Sequence, residues 1–273
     1  MQNLHIKDVS NAAMPIFGFG YSSFYFDFPL TFGAAHEQLG FAVIDPVIVP
    51  QAPHDLANAR FKPKAKVRLM LSNTAGECGL VSRLTWNNFP NTTQGWALVN
   101  QTLVNRTQAV KGDRSAEVVS KMWGVYPKFS SPQAAWDTIT TDLRATCPIN
   151  DLAEAMALSE DHEVYRMYIT NHIPGWPSYH GYDTTAMFGF KYALFDDLSV
   201  DAKAHMESFK EEIQRVVKDF VYAKDETNWK VFPGTTKVLT DSAPWTQVIS
   251  DRVQQDQCQF WRENDMVKYG WQN

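Results

Sequence analysis

Two strand-like runs stand far apart in this chain with helical periodicity between them, and that spacing constrains the fold more than any other feature. Val67-Arg68-Leu69-Met70-Leu71 is short and mostly apolar, ends in Ser72-Asn73-Thr74, and reads as a buried strand. Val164-Tyr165-Arg166-Met167-Tyr168-Ile169 is rich in β-branched and aromatic residues and reads as a second. Between them, Ser131-Pro132 is a helix start signal, and Ala134 to Ala145 follows with Trp136, Ile139 and Leu143 on one face. Asn150-Asp151 then opens a shorter helix to about Leu158. Beyond the second strand, Ser199 can cap a long helix with Phe209, Ile213, Val216, Val217 and Phe220 at helical spacing. A final helix is expected from near Gln247 to Trp261. Strands separated by helices, with a helical tail, predict part of an α/β layered sheet. No internal repeat or low-complexity tract interrupts the chain, so a single domain is the simpler organisation.

Composition narrows the partners. A chain of 273 residues that is 44% hydrophobic and 20% charged can bury a sizeable core. Its net charge of -5 and the lack of any Lys/Arg block argue against nucleic acid as a partner. No run approaches the ~18 consecutive apolar residues of a membrane-spanning helix. Met1 to Asp8 carries charged and polar residues where a secretory signal would place its apolar stretch, so the chain as written shows no export address. Three N-x-[ST] sequons at Asn91, Asn100 and Asn105 nevertheless cluster in one segment and point to a glycosylated loop on the secretory route. Three cysteines are too few for a disulfide scaffold and lack zinc-ligand spacing, so no metal site is expected, and buried thiols are the plain reading. Residues 17–32 are strongly aromatic and have no assigned partner, leaving the role of residues 1–40 open.

In open parallel sheets, sites lie beyond the carboxyl ends of strands. The first strand leads into Thr74-Ala75-Gly76-Glu77-Cys78-Gly79, and the second into Trp176-Pro177-Ser178-Tyr179-His180-Gly181-Tyr182-Asp183. The first resembles the G-x-x-x-[DE]-E-G acid loop of the cholinesterase and type-B carboxylesterase family, with Cys78 standing between Glu77 and Gly79. The second resembles that family's H-G-x-[ED] base segment. Phe41 to Pro50 is similar to its F-x-P-V-x-D-G stretch, with Asp45-Pro46 in place of Asp-Gly, and the likeness runs to Trp261.

The resemblance implies the C-terminal half of an α/β-hydrolase fold, a mostly parallel sheet flanked by helices, with residues 1–273 forming one partial domain. It implies Glu77 as triad acid and His180 as base, a disulfide between Cys147 and Cys258 with Cys78 unpaired, and no cofactor. A small-molecule carboxylic ester would be the substrate, with water as the second, and the protein would be secreted. The helices expected near Phe209 and Val248 resemble the pair that forms four-helix homodimer interfaces in cholinesterases, while their amphipathic spacing is equally met by burial in a monomer.

A nucleophile is what the chain lacks. α/β-Hydrolases carry Ser on a G-x-S-x-G elbow upstream of acid and base, and no such motif occurs here, nor any Gly-Gly pair for an oxyanion-hole run. Gly76-Glu77-Cys78-Gly79 approaches G-x-C-x-G, but its second Gly comes one position early, and Glu77 beside the thiol opposes thiolate formation. Gly20-Tyr21-Ser22-Ser23-Phe24 lacks the closing Gly. Trp86, Trp96 and Trp123 fit a core as well as a substrate wall. Three readings follow: a carboxylic ester hydrolase whose nucleophile half is absent and which is inactive as this isolated chain; a non-catalytic cholinesterase-like adhesion or binding protein; and an unrelated α/β protein. Retention of both Glu77 and His180 favours the first over the second, and the contexts of Cys147 and Cys258 count against the third.

Overall fold

The computed structural model describes residues 66–79, 89–158, 162–189, 198–223, 229–250 and 252–267. The aromatic stretch 17–32, the run 41–50 and Trp86 lie outside the described residues.

Strand β1 (Val67–Thr74) and β2 (His162–Ile169) pair in parallel, Val67 against His162 through Thr74 against Ile169. β3 (Thr236–Leu239) continues the sheet in parallel beside β2, and β4 (Thr246–Ile249) closes it antiparallel to β3. The spatial order is β1-β2-β3-β4. Among the described residues β1 is hydrogen-bonded on one side only.

The helices are α1 (Thr93–Lys111), α2 (Ser115–Met122), α3 (Pro132–Thr141), α4 (Cys147–Ala157), α5 (Tyr182–Phe188), α6 (Val200–Val221) and α7 (Gln255–Glu263). Alternation along β2 sorts them into layers. Val164 packs with Ala153 and Met156 of α4, while Met167 and Ile169 pack with Met206, Phe209, Ile213 and Val216 of α6. Burial on both faces is what a parallel sheet requires. A further cluster joins α1, α2, α3 and α7 around Trp136, Leu103, Met122 and Trp261.

Ser131 and Ser199 cap α3 and α6 as expected, each hydroxyl accepting an N–H from the first turn, at 3.1 Å from Ala134 and 3.2 Å from Ala202. Three expectations are corrected. The helix opening at Asn150 instead starts at Cys147, because α3 passes through a π turn at Asp142–Thr146 and runs straight on into α4. Pro148 has no N–H for a regular ladder, and the wider turn just before it accommodates that loss. The helix from Gln247 is a strand up to Ile249, since Thr246, Val248 and Ile249 are β-branched and a turn closed by Thr240 N–H on Trp245 O at 2.9 Å folds them back onto β3. Val248 therefore belongs to no helix pair. The third correction is at the sequons: Asn91 precedes α1, but Asn100 and Asn105 lie on it, because Val99 and Leu103 recur at helical spacing and are fully buried. Trp96 and Trp123 are half-buried and pack edge to face at 6.2 Å on the outside of the same cluster.

Asp142 is fully buried in that cluster, where its Oδ2 accepts the Tyr126 hydroxyl at 2.9 Å and Tyr126 in turn accepts Trp261 Nε1–H at 2.9 Å. Burial pushes its carboxyl up to about 7, against which the Tyr126 hydrogen bond works. A carboxyl whose folded pKa lies above its unfolded one costs stability as pH rises through that window. Asp142→Asn is therefore expected to raise the melting temperature at about pH 8.5 more than at about pH 5. Equal shifts in thermal melts at the two pH values would count against it.

Candidate functional site

Glu77 and His180 sit just past the carboxyl ends of neighbouring parallel strands, and the backbone laces their loops together. Ala75 N–H donates to Ile169 O at 2.8 Å, and Gly76 N–H to Ser178 O at 2.8 Å. The Ser178 hydroxyl donates to Ile169 O at 2.9 Å, so the β1–β2 pairing continues beyond both strands. Glycine is required at position 76 because a Cβ there would stand 2.9 Å from Ser178 O. Gly181, with φ of 80°, turns the chain directly after His180 into α5. Tyr182 anchors that turn, its ring stacked on Phe209 at 4.8 Å and its hydroxyl donating to Asn171 Oδ1 at 2.8 Å.

The acid loop then folds back on its own strand. Glu77 Oε1 accepts Thr74 N–H at 2.7 Å, and Oε2 lies 2.7 Å from His180 Nδ1. The carboxyl is thus arranged as an acceptor on both oxygens, so Nδ1 carries the proton and Nε2 the basic lone pair. The Glu77 side chain is 12% exposed and that of His180 63%. The hydrogen bond from Glu77 raises the His180 pKa above the ordinary histidine value, burial opposes it, and the charges of Glu77 and Asp183 add to the rise. Asp183 is itself raised, chiefly by burial, while accepting Thr184 N–H at 2.8 Å. A proton-accepting imidazole held by a carboxylate is an arrangement suited to general acid–base chemistry.

Gly76→Ala is expected to separate the two loops. Its measurable sign would be a fall in the His180 pKa toward the ordinary value in a histidine NMR titration, because the Glu77 hydrogen bond is the largest cause of the rise. An unchanged titration would show that the loops tolerate the methyl.

Cys78 is fully buried, and burial, its largest perturbation, pushes the thiol up to about 12, so it is no nucleophile. Cys147 and Cys258 form a disulfide. Among the described residues no group of three or more metal-ligating side chains forms, and no helix is long and apolar enough to cross a membrane.

Arg166 is the supporting residue whose role the sequence reading missed. Its guanidinium is fully buried under the site, donating to Asn73 Oδ1, to Met167 O, to Leu71 O at 3.3 Å and to Asn150 Oδ1 at 3.0 Å. Burial lowers its pKa to about 10. Asn73 is thereby tied to the end of β1, four residues before Glu77. A lone arginine inside the apolar and aromatic run Val164–Ile169 was the available signal, since such a charge is buried only with partners.

No family model matches the chain, and no curated protein does. Its fold is similar to the crystal structure of EstA from Aspergillus niger, with a TM-score of 0.55 and 16% sequence identity over 84% of this chain and 45% of that one. The chain thus spans less than half the length of that neighbour. Together with the mixed four-stranded sheet and its flanking helices, the likeness makes this a partial α/β-hydrolase fold.

Proposed function

We propose that this chain supplies the acid and base of a carboxylic ester hydrolase, with Glu77 orienting His180, and that the nucleophilic serine and oxyanion donors belong to a part of such a domain that these 273 residues do not contain. The observation that carries the reading is the 2.7 Å contact between Glu77 Oε2 and His180 Nδ1 at the carboxyl ends of adjacent parallel strands. In the complete enzyme, His180 Nε2 takes the serine proton as the hydroxyl attacks the ester carbonyl and returns it to the departing alcohol. Water then repeats the sequence on the acyl-enzyme. Glu77 holds the imidazole in the required tautomer and stabilises the imidazolium. No cofactor enters.

The Cys147–Cys258 disulfide and the sequons at Asn91, Asn100 and Asn105 support a secreted protein, because disulfides persist in oxidising compartments. The homodimer expected through helices near Phe209 and Val248 gains no support, since Phe209 is buried against the sheet and Val248 lies in β4.

Without a nucleophile the chain alone is expected to show no saturable hydrolysis of p-nitrophenyl esters. Turnover by the isolated chain that His180→Ala abolishes would overturn that. The deciding experiment is to map the 5′ end of the native transcript and express whatever it encodes. An upstream G-x-S-x-G with esterase activity supports the proposal; a product that binds but does not hydrolyse esters supports the adhesion reading.

A further inference from the structure

A second concavity lies against the same two loops. It has a volume of about 480 Å³, and its wall includes Ser130, Asp137, Thr138, Thr170, His172 and Trp176 but neither Glu77 nor His180. Gly76 and Ser178, whose hydrogen bond joins the acid and base loops, also line it. We propose that this cavity binds a small neutral polyhydroxylated ligand of the monosaccharide or polyol class.

The chemistry of the wall selects that class. Among the described residues no Lys or Arg lines the cavity, which disfavours a phosphate or carboxylate ligand there. Its apolar lining beyond Trp176, among the described residues, is limited to alanine, proline and glycine, too little to bury an acyl chain. What remains is a mixture of donors and acceptors beside an indole side chain, which suits the alternating hydroxyls and C–H groups of a sugar.

Several of these groups are held in place before any ligand arrives. Gln133 Nε2 donates to Asp137 Oδ1 at 2.8 Å, fixing the carboxylate. Thr170 Oγ1 donates to Leu239 O at 2.9 Å, leaving its oxygen to act as an acceptor. His172 is clamped by Asp241, whose Oδ1 accepts the backbone N–H at 2.7 Å while Oδ2 stands 2.9 Å from Nδ1. That clamp orients the ring and makes Nε2 the nitrogen for an incoming hydroxyl. Preorganised polar groups of this kind lower the cost of ordering a ligand.

The test uses the 273-residue chain and saturation-transfer NMR with methyl β-D-glucopyranoside and myo-inositol as probes. Saturable transfer to at least one probe is expected, weakened ~10-fold by Trp176→Leu, which removes the aromatic wall, and by the isosteric Thr138→Val. Ser208→Ala, on the exposed side of α6, should leave it unchanged. Absence of transfer to both probes overturns the proposal, as does transfer of equal strength in the wild-type chain and in Thr138→Val. Should Trp176→Leu fail to give the wild-type circular dichroism spectrum, Thr138→Val decides alone. Ester hydrolysis is no part of the readout, so this inference fails or stands independently of the proposed activity.

Discussion

In the ester hydrolase proposed above, His180→Ala is expected to lower kcat by ~10⁶-fold, because base and nucleophile act as a unit and loss of either removes nearly the whole triad advantage. Glu77→Gln should cost less, ~10⁴-fold, since the amide keeps the geometry but loses the charge that sets the tautomer and stabilises the imidazolium. Their pH profiles separate the roles. Catalysis needs neutral His180, so activity rises with pH through the imidazole pKa, which the Glu77 hydrogen bond holds above the ordinary histidine value. Glu77→Gln should move that limb to lower pH, while the residual activity of His180→Ala should lose it. The same shift has a stability consequence of defined sign. A histidine with a raised folded pKa contributes fully below its unfolded pKa, and the contribution disappears as pH rises through the folded one. A limb unmoved in Glu77→Gln would show that another group titrates there.

Much of this arrangement was legible in the sequence, and the reasons are local. Both strands announced themselves through apolar and β-branched runs, and both serine caps through the residues that follow them. Glu77 and His180 could be named because their loops, each following a strand, resemble the acid and base segments of the cholinesterase and type-B carboxylesterase family. Their 2.7 Å contact could not be, since it depends on the parallel register of β1 on β2 and on the close approach of Ser178 O to Gly76, whose N–H donates to it. Tertiary context also overrode local pattern. Residues 246–249 join the sheet because β3 offers them an open edge, although they precede a helical stretch. The π turn at Asp142–Thr146 answers to Pro148 and to the buried Tyr126 and Trp261 side chains, which helical periodicity does not encode. The sequon segment reads as a loop from its asparagines, while the i, i+4 recurrence of Val99 and Leu103 in the same residues marks a helix.

The largest stability effect is expected from Cys258→Ser. The disulfide joins the first residue of α4 to α7 across 111 residues, so breaking it frees a loop that spans most of the described fold. In the chain-entropy description a closure of that length contributes about 4 to 5 kcal/mol through the unfolded state. The two ends would not separate in the folded protein. Arg262 Nε still pairs with Asp151 at 2.6 Å, Arg252 Nη2 with Glu154 at 2.8 Å, and Asn150 Nδ2 still donates to Val253 O at 2.9 Å. Those contacts hold α7 and the segment just before it against α4 once the chain has folded, but they do nothing to restrict the unfolded ensemble. The variant should therefore keep the native circular dichroism spectrum while its unfolding free energy falls by about 4 kcal/mol, and Cys147→Ser should match it because the two lose the same cross-link. Denaturant titrations of both variants and of the reduced wild-type chain decide the matter. A loss below about 1 kcal/mol would mean that the unfolded chain already holds α4 and α7 together, whereas a native spectrum lost outright would mean that the polar contacts between those helices depend on the bridge.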